Sequence, residues 1–145
     1  MFVKTILDEK RPEIITVLGT DPIRKAAQVF KTEGIGFAIV EDGEGAHRGT
    51  ISERDIVQAI ANHDDVGSLS VSDIMTTNVV SVGPEDTTET VRGIMTERRT
   101  RHVLVKENDQ LIGIVSIGDL MKHSLDQCEI DTGQMREYIS GTGYQ

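Results

Sequence analysis

Apolar residues along this chain follow two alternating rhythms. Residues 14–17 form a short β-rich run and predict a strand. Asp21 and Pro22 then mark a helix start, since the first turn has no use for the N–H that proline lacks. Ile23, Ala26, Ala27 and Phe30 recur at i, i+3, i+4 and i+7, predicting one apolar helix face, and Gly34 ends it. Residues 37–40 and 49–52 predict two more strands, joined by the Asp- and Gly-rich loop 41–48. Ser52 opens a second helix, with Ile56, Val57, Ile60 and Ala61 as its apolar stripe. The order is strand, helix, strand, strand, helix.

That order then repeats. Gly49-Thr50-Ile51-Ser52-Glu53-Arg54-Asp55-Ile56 returns as Gly113-Ile114-Val115-Ser116-Ile117-Gly118-Asp119-Leu120. Ile15-Thr16-Val17 returns as Val80-Ser81-Val82, and the lead-in Val3-Lys4-Thr5-Ile6-Leu7 is echoed by Val71-Ser72-Asp73-Ile74-Met75. The register slips by one residue where loop 41–48 is longer than its counterpart 106–112, in a polar turn that tolerates insertion. In the second copy, residues 79–82 predict the first strand, and Val91, Ile94 and Met95 face inward from the first helix. Residues 102–105 and 111–116 form a hairpin turned at Asn108-Asp109, and 118–123 open the last helix. The expected organisation is a repeat at about 3–61, a linker at 62–70, a repeat at about 71–124, and a helical tail at 125–145. In that tail Leu125, Met135, Tyr138 and Ile139 could line a face, Gly133 weakens the helix, and the Gly141-Thr142-Gly143 stretch ends it.

Composition narrows the options. At 145 residues the chain is one ordinary domain or two small ones sharing a core. A formal charge of −9 argues against general nucleic-acid binding, which needs a basic face, and aromatic residues are too scarce for a stacking platform. The single cysteine, Cys128, forms no disulfide within the chain and no zinc pattern. His47, His63, His102 and His123 are scattered without metal-ligand spacing, and no nucleophile elbow, Walker loop or dinucleotide fingerprint occurs. The start of the chain lacks the apolar run of a signal peptide, and no stretch is long enough to span a membrane. A cytoplasmic protein without catalytic activity is the expectation.

The duplicated Gly-apolar-apolar-Ser-x-x-Asp-like segments, 49–55 and 113–119, resemble the hallmark of the CBS-domain family. The lead-in 71–76 and the stretch 95–105 are similar to that family as well. The resemblance implies an α/β fold of tandem βαββα repeats packed pseudo-symmetrically, commonly in a homodimer. It also implies a regulatory module that binds adenosine-containing molecules (AMP, ADP, ATP, NAD(H) or S-adenosylmethionine) in clefts between the repeats. The alternative is a structural dimerisation scaffold without ligand.

The residues suit such a ligand. Ser52 and Ser116 sit where strand gives way to helix, and first-turn N–H groups there lack intrahelical partners and favour anions. Asp55 and Asp119 lie one turn on, and a carboxylate can accept two hydrogen bonds from a ribose diol. The same spacing is also that of a helix-capping box, and a capped helix start and a preformed site can coexist. By resemblance, Thr16-Val17 and Ser81-Val82 would offer backbone groups to the adenine edge, though Val17 and Val82 also read as core. Arg98, Arg99, Arg101 and His102 form the dense basic cluster of an acidic chain. Arg101 and His102 are candidates for phosphate, whereas Arg98 and Arg99 also suit a helix C-terminus. The first copy has Glu33-Gly34-Ile35-Gly36-Phe37 in place of that cluster, and Arg54 stands where the second has Gly118. The two sites are therefore expected to differ.

Overall fold

The computed structural model describes residues 1–10 and 14–125. The elements in chain order are α1 (Val3–Glu9), β1 (Thr16–Leu18), α2 (Ile23–Glu33), β2 (Phe37–Glu41), β3 (His47–Ser52), α3 (Glu53–Asn62), α4 (Val71–Ile74), β4 (Ser81–Val82), α5 (Thr88–Arg98), β5 (His102–Glu107) and β6 (Gln110–Ser116). A helix over 117–125, here α6, follows, and a 3-10 turn at Val66–Ser68 lies in the linker. The fold is mixed α/β, with two βαββα copies as the repeat requires. The expected helical tail beyond Leu125 lies outside the described residues.

Residues 14–80 make one compact unit, and residues 1–10 with 81–125 make the other. Each is built on a three-stranded sheet, in the order β1-β2-β3 and β4-β5-β6. The first strand of each runs parallel to the second, and the second and third form an antiparallel hairpin. The second hairpin turns at Asn108 and Asp109, both with positive φ (53° and 63°), as a two-residue turn matching strand twist demands. Helix α2 ends at Gly34 in the left-handed region (φ 67°), whereas its counterpart α5 ends at Arg99 (φ 52°).

Within the first unit, Val17, Ala26, Phe30, Ala38, Val40, Ile51 and Val71 form the core. The second is centred on Val3, Ile6, Val82, Val91, Met95, Val103, Val105, Val115 and Leu120. Two expected faces need correction. Ala27 is exposed on α2, where Ile23, Ala26 and Phe30 are buried and Val29 packs partly against the core. On α3 the buried residue is Ala59, while Val57 and Ile60 are 63% and 59% exposed.

The lead-in of each sequence repeat folds with the other repeat's sheet. Helix α1 packs on β6, with Val3 and Ile6 fully inside the second unit's core. Helix α4 places Val71 in the first unit's core, and the residue after Met75 pairs with β3: Thr50 and Thr76 exchange backbone hydrogen bonds of 2.9 and 2.8 Å. This exchange explains the glycine that begins each motif. A Cβ on Gly49 would collide with the Thr76 carbonyl oxygen, and one on Gly113 would lie 2.7 Å from a Leu7 methyl.

Candidate functional site

In the first unit Ser52 is the N-cap of α3. The Asp55 N–H donates to Ser52 Oγ (3.3 Å), while the Ser52 N–H and Oγ–H both donate to Asp55 Oδ2 (2.9 and 3.1 Å). This is a complete capping box, so that reading of the sequence holds. It also fixes the carboxylate at a helix N-terminus with Oδ1 turned elsewhere. Oδ1 accepts from the Thr76 hydroxyl at 3.1 Å.

The second unit repeats the box with a different partner. The Ser116 N–H donates to Asp119 Oδ2 (2.8 Å), and the Asp119 N–H donates to Ser116 Oγ (3.1 Å). Here the added donor is charged. Lys10, just past α1, places Nζ 2.7 Å from Asp119 Oδ2 and 2.8 Å from the Ile114 carbonyl oxygen. Burial pushes the Asp119 carboxyl up, but the Lys10 ammonium and the Ser116 hydrogen bonds outweigh it and hold the group below its usual value.

Arg101 and His102 are drawn to the same place. His102 pairs in register with Ser116, and the Ile117 N–H donates to the Arg101 carbonyl at 2.8 Å. The His102 imidazole is pushed down to about 4, first by burial and then by the positive charge of Lys10, with Asp119 opposing and Arg101 adding to it. In the first unit Gly36 and Phe37 occupy these positions: Phe37 pairs with Ser52, and the Glu53 N–H donates to the Gly36 carbonyl at 3.0 Å. The expected difference in basic character is thus present in the backbone register itself.

The strand candidates separate by side chain. Thr16 and Ser81 are exposed, and Val17 and Val82 are buried in their units' cores. Strands β1 and β4 each stand at the edge of a sheet, where one side of the backbone has no strand partner among the described residues. Arg54 lies on the exposed side of α3's first turn. The candidates Ser52, Asp55, Thr16, Val17 and Arg54 therefore belong to one unit, and Ser116, Asp119, Ser81, Val82, Arg101 and His102 to the other. An open depression of about 350 Å³ in the second unit is lined by Met1, Thr88, Glu89, Arg92, His123 and Ser124 and includes none of them. Among the described residues no three His, Cys, Asp or Glu side chains gather as a metal site.

Sequence reasoning missed Lys10 and Thr76. The available signal was their place, Thr76 directly after the echoed segment 71–75 and Lys10 three residues after its counterpart 3–7.

Comparison with known proteins agrees with the duplicated motif. The family model for the CBS domain matches residues 3–62 and again 71–126. The chain belongs to the CBS-domain family. A CBS-domain protein of Agrobacterium tumefaciens has a solved structure that is 41% identical, with a TM-score of 0.82 over 86% of this chain and 99% of that one. A CBS-domain protein of Pyrobaculum aerophilum, solved in complex with AMP, is 28% identical, with a TM-score of 0.70 over 83% of this chain and 90% of that one. The CBS domain pair of protein MJ0100, solved with 5′-methylthioadenosine and S-adenosylmethionine, is 25% identical, with a TM-score of 0.75 over 88% and 98% of the two chains. No helix among the described residues is long and apolar enough to cross a membrane.

Proposed function

We propose that this CBS pair is a regulatory module that binds adenosine-containing ligands, with Asp55 and Asp119 as acceptors for the ribose hydroxyls. The observation that carries this reading is the same preorganised arrangement in both units: a carboxylate fixed by its serine at a helix N-terminus. Such an acceptor is held in place before ligand arrives, so little ordering is lost on binding. The helix N-termini behind Ser52 and Ser116 favour a nearby phosphate, and Arg101 and Arg54 add charge to one unit each. The outer edges of β1 and β4, at Thr16-Val17 and Ser81-Val82, supply backbone groups for a purine. His102 stands in register with Ser116 as a neutral group. The AMP and S-adenosylmethionine complexes of the two relatives support the ligand class. The reading assigns the chain no catalysis, a cytoplasmic location and a homodimeric state.

A thermal-shift panel of AMP, ADP, ATP, NAD(H) and S-adenosylmethionine tests it. Ligand at a hundred times its dissociation constant adds about 2.7 kcal/mol, and the melting midpoint should rise by roughly 5–10 °C. No shift with any of them at millimolar concentration would leave a scaffold without ligand as the better account.

A further inference from the structure

The two Ser-x-x-Asp sites differ in the charge of the group that touches the aspartate. Asp55 receives a neutral hydroxyl from Thr76, and Asp119 receives the ammonium of Lys10. Lys10 is well placed to hold that position. Its Nζ bonds both Asp119 and the Ile114 carbonyl, and its side chain is 31% exposed, beside an aspartate side chain that is 23% exposed. An ammonium has three N–H donors, so one remains beyond these two bonds. The Lys10 ammonium and the Ser116 N–H both donate to Oδ2 of Asp119, so Oδ1 is the oxygen offered to a ligand.

The geometry points to Lys10 as the residue that sets charge preference at Asp119, selecting adenosine ligands with an anionic 5′ group over those with a cationic one. The inference rests on the reading that Asp119 takes the ribose. A ribose held at Oδ1 does not displace Lys10. Its 5′ substituent then lies within a sugar's breadth of Nζ, inside the Debye length of about 8 Å. A bare Asp119 carboxylate would repel a phosphate there and attract a sulfonium. The Lys10 ammonium cancels that charge and adds a donor, so the preference reverses. Arg101, whose backbone flanks the same helix start, has the same sign. The Asp55 site, with Thr76 in the equivalent role, has no such counter-ion on its carboxylate among the described residues and should discriminate less.

Calorimetry in an Asp55→Ala background isolates the Asp119 site, with AMP, adenosine and S-adenosylmethionine as probes. Lys10→Met should weaken AMP by about tenfold, the loss of a charge-assisted contact. It should change adenosine little and tighten S-adenosylmethionine. Lys10→Arg should keep the original order of the three. Movement of AMP and the sulfonium ligand in opposite directions cannot come from a merely loosened α1, which would weaken all three together. A common loss in Lys10→Met, or an unchanged order of preference, would overturn the role of Lys10 while leaving the ligand reading intact. Absence of binding by all three probes to the unsubstituted chain would overturn the ligand reading, and this inference with it. In the Asp55→Ala protein with Lys10 intact, rising salt should weaken AMP more than adenosine; equal weakening would also count against the assignment.

Discussion

At the scale of single residues, the Ser-x-x-Asp segments were legible because capping chemistry acts over three positions of one turn. Ser52 with Asp55 and Ser116 with Asp119 form the bonds that their spacing allows. What the spacing could not show is the third partner of each carboxylate, Thr76 or Lys10, which arrives from a distant part of the chain. His102 was noted as part of a basic cluster, but its surroundings make it a neutral group. Burial lowers its pKa from 6.5 to about 4, Lys10 and Arg101 push the same way, and Asp119 only partly opposes them. Above pH 6.5 the imidazole is neutral in folded and unfolded chains alike. Below that, the unfolded chain takes up a proton that the folded one resists, so stability falls between about pH 6.5 and 4. Asp119, held below its usual value, adds its own loss at still lower pH, as its carboxylate is protonated. Urea unfolding midpoints should therefore drop as pH falls from 7 to 5, and His102→Gln should flatten that drop. An equally steep drop in His102→Gln would show that other groups set the acid sensitivity.

At the scale of elements, periodicity found the six strands and the helices α2, α3, α5 and α6, with strand starts shifted by up to two residues, whereas α1 and α4 showed only as an echoed lead-in. It did not say what covers a helix face. Phe30 and Met95 could have served a core or an interface, and both are buried within their own units. Val57 and Ile60, part of the expected apolar stripe on α3, face out, as do Met121 and Leu125 on the equivalent α6. A helix that keeps an apolar residue exposed at one matching place in both repeats, Val57 and Met121, suits an isologous contact, in which a second copy presents the same patch. Light scattering should give twice the chain mass of 15.9 kDa, falling toward a single chain in Val57→Asp combined with Met121→Asp. A mass of one chain for the unsubstituted protein at all concentrations would contradict the dimer. The exchange of lead-ins was hidden for a related reason. The echo between residues 3–7 and 71–75 marks two equivalent elements, but nothing local says which sheet each one covers. The glycines at 49 and 113 were quoted only as motif letters; their physical cause is the close approach of Thr76 and Leu7.

At the scale of the whole molecule, two copies of one small unit have diverged around a shared chemical plan. Each keeps a serine-capped aspartate at the start of its second helix, and each takes its extra donor from the other repeat's lead-in. The fold was legible from duplication, since two motifs in phase with matching strands and helices leave few arrangements open. The asymmetry was legible in part, through Arg101 and His102 against Gly36 and Phe37. The rest lay in contacts that only the folded chain creates. The central claim is that the two aspartates are ribose acceptors and not helix caps alone. Titration calorimetry with AMP on the unsubstituted chain, Asp55→Ala, Asp119→Ala and the double variant tests it most directly. The serine hydroxyls still cap both helices in these variants, so the fold should persist, as circular dichroism can verify. The account predicts that each single substitution weakens one binding event by about ten- to a hundredfold and that the double variant weakens both by that factor. An AMP isotherm unchanged in the double variant would contradict it.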